Sequence, residues 1–229
     1  MTDNPLKRLK EMVSSGPVEF IFEAEQSLSL IEACGSNLVF LQTHNFGELF
    51  GTIQGLAINQ FVLSVTKLFE KPSTRYPNVS IRSILEFIEK NADRLELQNP
   101  KLAREGLKVL GLDTSAFDAT DTSAQKNVVI ARRLRDKIPD VENHAALRAL
   151  KTLRDKKITH PEDIDLATIE KTTWEEGEKL LVLPRGVVGV IGDAYLSTAY
   201  WDNEGNYCGS IDGSRVGRAM QRLIKAADK

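Results

Sequence analysis

The stretch GELFGTIQGLAINQFVLSVTKLFE, residues 47–70, decides the fold class of this protein. Its apolar residues recur mostly at three- and four-residue spacing, which is the period of an α-helix. Lys71 and Pro72 follow, and proline cannot continue a helix, so the pattern ends there. The apolar stripe is wide, and we therefore expect this helix at the centre of a helical bundle.

The same helical period extends over most of the chain. Ser80 is a suitable N-cap for a helix that carries Ile81, Ile84 and Ile88. Pro161 disfavours helical backbone at the residue before it, so we expect His160 at or beyond the end of its helix. The predicted helices cover about residues 19–44, 47–70, 81–88, 103–110, 124–138, 141–160, 166–183, 187–200 and 214–227.

Few segments alternate with the two-residue period of a strand, so the sequence predicts an all-α protein. Residues 99–123 are broken by Gly111 and by polar, turn-forming residues, which favours an exposed insert. We predict a helical bundle over residues 19–183 and an additional helical C-terminal region over residues 184–229.

Composition limits the classes of function. The 229 residues carry a net charge of −2, and 41% are hydrophobic, which excludes a disordered or fibrous chain. Two cysteines, Cys34 and Cys208, and three histidines leave few metal constellations, so we expect neither a metal nor a cofactor. We find no targeting segment and no uninterrupted apolar run of about 18 residues, so we expect a cytoplasmic protein without a membrane partner.

The near-zero net charge conceals a local asymmetry. Residues 131–160, here called the basic strip, contain nine Lys or Arg and four acidic residues, and residues 161–180 reverse this balance. One interpretation is two solvated helix faces with intramolecular ion pairs. The other is an anion-binding surface, with Arg148, Lys151, Lys156 and Lys157 as candidate ligands of RNA phosphates.

The part of the basic strip with the most specific chemistry is the segment Leu153-Arg154-Asp155-Lys156-Lys157-Ile158-Thr159-His160-Pro161. Arginine offers paired donors to phosphate oxygens, and histidine can transfer protons near neutral pH. Asp155 could orient either group or polarise a ribose hydroxyl. The alternative is that Arg154 and His160 only cap a helix of an unrelated helical adaptor.

This segment resembles the Arg-x(4–6)-His signature of the HEPN family, the higher eukaryotes and prokaryotes nucleotide-binding domains. More narrowly, it is similar to the abortive-infection U-type subgroup, which the stretches Val65–Pro72 and Asn78–Ile81 also resemble. The resemblance covers about residues 19–183. That subgroup would give a four- or five-helix bundle that dimerises so that two motif helices meet.

The resemblance implies a metal-independent endoribonuclease of a toxin–antitoxin or phage-defence system. His160 would act as general acid or base, Arg154 would stabilise the charged phosphorane, and Asp155 would position or polarise. The implied partners are RNA, a second copy of the chain and an antitoxin or regulatory protein. The alternative within the family is a catalytically silent module that binds RNA or a nucleotide, or serves as a protein scaffold.

The sequence departs from the resemblance at one position, and one glycine pattern suggests a phosphate loop only superficially. Relatives regulated by a nucleotidyltransferase carry a tyrosine two residues after the histidine, whereas this chain has Glu162, so regulation at that position is not supported. Gly186, Gly189 and Gly192 lack the ending and the preceding strand of a phosphate loop, which favours close helix packing.

Overall fold

The computed structural model describes residues 4–73, 75, 78–159, 172–202, 204 and 206–227. Within these ranges the chain is helical, with one isolated antiparallel bridge between Trp201 and Tyr207, which confirms the predicted all-α class. The helices are α1 (Pro5–Val13), α2 (Glu19–Gly35), α3 (Leu38–Thr43), α4 (Gly47–Leu68), α5 (Ile81–Lys90), α6 (Pro100–Val109), α7 (Ser115–Asp118), α8 (Ser123–Arg135), α9 (Ile138–Glu142), α10 (Ala145–Leu153), α11 (Trp174–Lys179), α12 (Val182–Ile191), α13 (Gly209–Gly213) and α14 (Arg215–Ala227). Wide π-helical turns follow three of them, at Ser14–Val18, Arg154–Thr159 and Gly192–Leu196.

The central pair of the bundle is α2 packed along α4. From Ala57 onward, α4 buries Phe61, Val65 and Leu68, as the apolar stripe predicts. By length and composition alone α4 could also cross a membrane, but this half of it lies in the protein core. Its first half is more exposed, because only Phe50 is buried there, in a small cluster with Cys34.

The prediction of a single helix over residues 19–44 is wrong in one detail. α2 ends at Gly35, and Asn37 turns its side-chain amide back to donate to the Ala33 carbonyl oxygen at 2.7 Å. α3 then begins at Leu38. The turn is short enough that apolar residues on both sides keep a helix-like spacing, so periodicity alone could not reveal the break.

Capping explains where α5 begins, and a buried amide fixes α8 beside it. The Ser80 hydroxyl accepts a hydrogen bond from the Ser83 amide in a reciprocal capping box, which confirms the predicted N-cap. On α8, the buried Asn127 side chain donates to the carbonyl oxygens of Ala92 and Leu95, at 2.8 and 2.7 Å. It also accepts from the Tyr195 hydroxyl at 2.9 Å, so one side chain joins three parts of the bundle.

Residues 99–123 are not an exposed insert. Ala103 and Leu107 of α6 are fully buried, and Phe117 of α7 is buried in the same core. The polar residues that favoured an insert lie in the connections and at helix starts. Asn99, for example, caps α6 by accepting from the Leu102 amide. Turn-forming residues mark the ends of short helices here and do not mark a departure from the core.

The predicted boundaries at residues 19 and 183 also differ from the structure. Leu9 and Val13 of α1, and Val187 and Ile191 of α12, belong to the same apolar core as α4. The C-terminal region is therefore continuous with the bundle. Its last helix, α14, packs on α2, where Gly217 approaches so closely that a Cβ would lie 2.4 Å from the Ser29 carbonyl oxygen.

The glycines of α12 serve helix packing, as their pattern predicts. A Cβ on Gly189 would lie 2.6 Å from the Trp201 ring, and one on Gly192 would lie 2.4 Å from the Thr198 carbonyl oxygen. The indole N–H of Trp201 donates to Asp193 at 2.7 Å. The chain after α12 thus folds back tightly over that helix because side chains are absent along one side.

Candidate functional site

The candidate site lies where α10 passes into the π-helical turn Arg154–Thr159. His144 caps the start of α10, with Nδ1 accepting from the Ala146 amide at 3.2 Å. A π-helix repeats after about five residues, which explains why both Leu153 and Ile158 pack against the core. The Thr159 hydroxyl donates to the Arg154 carbonyl oxygen at 3.0 Å and closes the turn.

Arg154 is held between two carboxylates. Its Nε donates to Asp155 Oδ1 at 2.7 Å, and its Nη1 donates to Glu70 Oε1 at 2.8 Å. The side chain of Arg154 is 19% exposed, whereas that of Asp155 is 57% exposed. These two ion pairs do not use Nη2. The guanidinium is therefore fixed in orientation and partly accessible to solvent.

Glu70 and Asn78 also belong to this site, although the sequence motif does not include them. Glu70 Oε2 accepts from Asn78 Nδ2 at 2.9 Å, and the same amide group donates to the Lys71 carbonyl oxygen at 3.1 Å. Glu70 lies two residues beyond the end of α4, so its pair with Arg154 joins the end of α4 to the end of α10. Both residues stand in the two upstream stretches that resemble the subgroup, and this was the signal that could have identified them.

Lys151 shares the electrostatic environment of Arg154. Partial burial lowers the pKa of Lys151, and the positive charges of Arg154, Lys71 and Arg82 lower it further, whereas Glu142 opposes the shift. Arg82 holds Glu142 in a two-pronged pair at 3.2 and 2.6 Å. Two predicted residues, Lys151 and Arg154, therefore lie in one cationic region, which Arg82 and Lys71 enlarge.

The other predicted RNA-binding residues lie on exposed positions around this region. Arg148 is on α10, one turn before Lys151, and its Nη1 donates to the Asn143 carbonyl oxygen at 2.5 Å. Lys156 and Lys157 lie on the π-helical turn. The structure thus places all four predicted side chains on α10 or on the turn that follows it.

The first part of the basic strip does not join this surface as free positive charge. Arg132 and Arg135 of α8 both pair with Glu89, at 3.0 and 2.6 Å. Arg133 pairs with Asp113 at 3.1 Å. Here the interpretation as a helix face with intramolecular ion pairs is correct, and the accessible positive charge is concentrated on α10 and its π-helical turn.

His160, and Glu162 two residues later, lie outside the described residues, so the geometry of the Arg154–His160 pair stays a prediction. The other two histidines are capping residues: His144 caps the start of α10, and Nδ1 of His44 is 3.0 Å from the Phe40 carbonyl oxygen at the end of α3. Cys34 is buried, and burial raises the pKa of its thiol. Across the described ranges, no cluster of His, Cys, Asp and Glu side chains is suited to a metal ion.

Comparisons with curated proteins and with solved structures find no match. A family model does match: that of the HEPN family AbiU2, over residues 36–203. This range is 168 of the 229 residues and includes Glu70, Asn78 and Arg154. A HEPN domain of this kind indicates a nuclease or abortive-infection type of function. The chain therefore belongs to the AbiU2 family of HEPN domains.

Proposed function

We propose that this protein is a metal-independent endoribonuclease of a prokaryotic toxin–antitoxin or phage-defence system. The observation that supports it most is the placement of Arg154. This guanidinium is partly exposed, fixed by two carboxylates, close to Lys151 and six residues before His160. A fixed arginine beside a second cation suits the non-bridging oxygens of a phosphodiester.

The proposed reaction is transfer of the RNA phosphate from the 5′-oxygen to the neighbouring 2′-oxygen. The 2′-hydroxyl loses its proton to a general base while its oxygen forms a bond to phosphorus. The bond to the 5′-oxygen breaks, and that oxygen takes a proton from a general acid. The products are a 2′,3′-cyclic phosphate and a 5′-hydroxyl, and His160 serves as acid or base.

The contacts of Arg154 refine the role proposed for Asp155. Because Asp155 accepts from Nε of Arg154 at 2.7 Å, it acts as a positioning residue for the guanidinium, and Glu70 does so from the opposite helix. Preorganised charge stabilises a developing anion without reorganisation at the moment of reaction. Arg154 would then neutralise the phosphorane while the two carboxylates keep its orientation.

The active form in this proposal is a cytoplasmic homodimer. Two copies of the segment from Arg154 to His160 would line one cleft, and Arg148, Lys151, Lys156 and Lys157 would bind the flanking phosphates. An antitoxin or regulatory protein would hold the enzyme inactive. Light scattering of the purified chain tests the dimer, because a monomer at micromolar concentration contradicts the composite cleft.

The decisive experiment compares RNA cleavage by the wild type and by His160→Ala in the presence of a metal chelator. We expect cleavage to fall by about a hundredfold or more, as loss of a general acid or base commonly does, and the wild-type products to carry cyclic phosphate ends. His44→Ala is the matched control, because His44 lies at an exposed position at the end of α3. Equal cleavage by the wild type and His160→Ala would refute the proposed role.

A catalytically silent binding module is the second candidate, and the pairing of Arg154 with two carboxylates favours it, since a phosphate must compete with them. This candidate predicts RNA binding that weakens steeply with salt and no cyclic phosphate product. Anisotropy with labelled RNA at several salt concentrations, measured beside the cleavage assay, separates the two functions.

A further inference from the structure

A second feature suited to a ligand is lined by residues other than those around Arg154. It is a cleft of about 560 Å³ between α2, α4, α11 and α12, with Ser210 of α13 at its edge. Gln54 of α4 lines it, whereas Glu70, beside Arg154, follows the other end of α4. The lining of the cleft includes none of Glu70, Arg154 and Asp155. The cleft and the candidate RNA site are therefore distinct.

The chemistry of the cleft centres on Glu25 of α2. Only 6% of this residue is exposed, and Oε1 accepts from Arg185 Nε and from the Ser210 hydroxyl, both at 2.8 Å. The other oxygen, Oε2, is buried and has no hydrogen-bond partner within the described ranges. Leaving a buried acceptor unsatisfied is costly, so Oε2 indicates a missing donor.

Gly213 of α13 packs closely against this carboxylate. A Cβ on Gly213 of α13 would lie 3.0 Å from Oε2 and 2.7 Å from Cβ of Glu25. The terminal torsion of a glutamate has a broad energy minimum, so a small rotation of the carboxylate would present Oε2 to the cleft. A donor from a ligand could then reach it.

The walls of the cleft select a cation. Glu25, Glu32, Glu175 and Glu178 contribute four carboxylates, against which the described lining residues place one guanidinium, that of Arg185. This guanidinium already pairs with Glu25 at 2.8 Å and lies 4.0 Å from Glu178. The negative charge is thus only partly compensated.

One wall is aromatic. Trp174 lines the cleft with its side chain on the surface, and its ring meets Phe61 edge to face at a centroid distance of 6.0 Å. Packing of this kind leaves much of the indole accessible, and tryptophan is the aromatic side chain that attracts cations best. Leu28 and Ile31 add apolar surface for a carbon chain.

We propose that this cleft binds the ammonium group of an organic amine, which donates to Glu25 Oε2 while its alkyl chain lies against Trp174. An ammonium group has three donors and no acceptor, and it matches both the unsatisfied oxygen and the excess of carboxylates. The amine belongs either to a free polyamine or to a lysine side chain of a partner protein. This inference does not depend on ribonuclease activity.

The test is calorimetric titration of the full chain with two probes, spermidine and Nα-acetyl-lysine methylamide, at neutral pH and low salt. We expect at least one of them to bind the wild type and to bind Glu25→Gln about tenfold more weakly or worse, as loss of a charge-assisted hydrogen bond implies. Tighter binding of spermidine identifies a polyamine site, and tighter binding of the lysine derivative identifies a docking site for a partner's side chain.

Glu48→Gln is the matched control, because it removes one carboxylate at an exposed position outside the cleft and should bind like the wild type. The double variant Glu175→Gln/Glu178→Gln changes only surface side chains of the cleft, so it tests the site even if Glu25→Gln fails to fold. Binding of neither probe to the wild type, or wild-type affinity in the double variant, would overturn the proposal.

Discussion

The two sites present opposite electrostatic problems. At Arg154 a single cation is paired with two carboxylates, Glu70 and Asp155, close to solvent. At Glu25 an anion is buried, and two donors meet only one of its oxygens. At the first site, the positive charge of Arg154 is therefore paired with more than one negative charge near the surface. At the second, one oxygen of a buried carboxylate has no hydrogen-bond donor.

This difference determines how each site can accept a ligand. Ion pairs near the surface contribute about 0–1 kcal/mol, so a phosphate can compete with the carboxylates for Arg154 at small cost. A buried acceptor without a donor costs about 1–3 kcal/mol, so the folded protein already favours a donor at Glu25. At the proposed RNA site the charges are already paired, whereas the cleft is a position that a ligand would complete.

The largest expected effect is on RNA cleavage, and it tests whether Arg154 acts in the reaction or only forms ion pairs. Arg154→Gln should lower RNA cleavage by about 10²–10³-fold, as loss of one group that stabilises a transition-state anion commonly does. Arg104→Gln is the matched control, because Arg104 forms a two-pronged pair with Asp118, at 2.6 and 2.8 Å, and is outside the site. An equal loss of cleavage in both variants would show that only ion pairing and stability are affected.

The next largest effect is on stability and tests how closely α13 packs against α2 at the cleft. Gly213→Ala should lower the free energy of unfolding by about 1–3 kcal/mol, because the new methyl group forces neighbouring atoms apart. The closest of these atoms is Cβ of Glu25, at 2.7 Å. Gly51→Ala, where a Cβ meets nothing within 4 Å, should instead stabilise α4. Denaturant titration of both variants measures the difference, and an undiminished stability of Gly213→Ala would contradict the close packing.

A third expectation follows from the buried carboxylate. Burial raises the pKa of Glu25, and the opposing effect of Arg185 does not cancel it. A raised pKa means that the folded state holds this proton more tightly than the unfolded state. The associated stability is present below the ordinary pKa of glutamate and is lost as pH rises through the folded value. Relative to Glu25→Gln, the wild type should therefore lose stability between weakly acidic and neutral pH. A difference between the two that stays constant over this range would contradict the raised pKa.

The smallest effect concerns competition at Arg154. Glu70→Gln removes one of the two carboxylates that compete with a phosphate for Arg154, so RNA affinity at low salt should rise by up to about fivefold, the equivalent of an ion pair near the surface. The stability of the protein should change by less than about 1 kcal/mol. Glu105→Gln, a surface carboxylate paired with Lys108 on α6, provides the control. Weaker RNA binding by Glu70→Gln would instead show that Glu70 serves mainly to hold Arg154 in place.

Much of the fold could be predicted, because helices leave local marks in a sequence. The stripe over residues 47–70, the cap at Ser80 and the helix that leads to Arg154 follow from period and capping alone. Residues 99–123 could not be assigned correctly, because their polar residues lie at the ends of short helices, and the apolar faces of these helices meet α12 and α8. Whether a short helix is buried depends on a distant partner that its own pattern does not specify.

The residues of the candidate sites also differ in whether the sequence alone could identify them. The residues Arg154, Asp155 and His160 can be identified as a motif because they lie within seven positions of one another. The pair between Glu70 and Arg154 spans 84 positions, and that between Glu25 and Arg185 spans 160. Such pairs form only when helices pack, so no local spacing announces them.

The sequence by itself determined the all-α class, the central helix, the family resemblance and the cationic motif, since each rests on residues that are close in the chain. Only the tertiary structure decided which charges are neutralised, that α6 and α12 belong to the core, and that Glu25 lies buried beside an open cleft. The physical reason is that burial and pairing depend on which helix faces meet. Periodicity fixes the faces of each helix but not their partners.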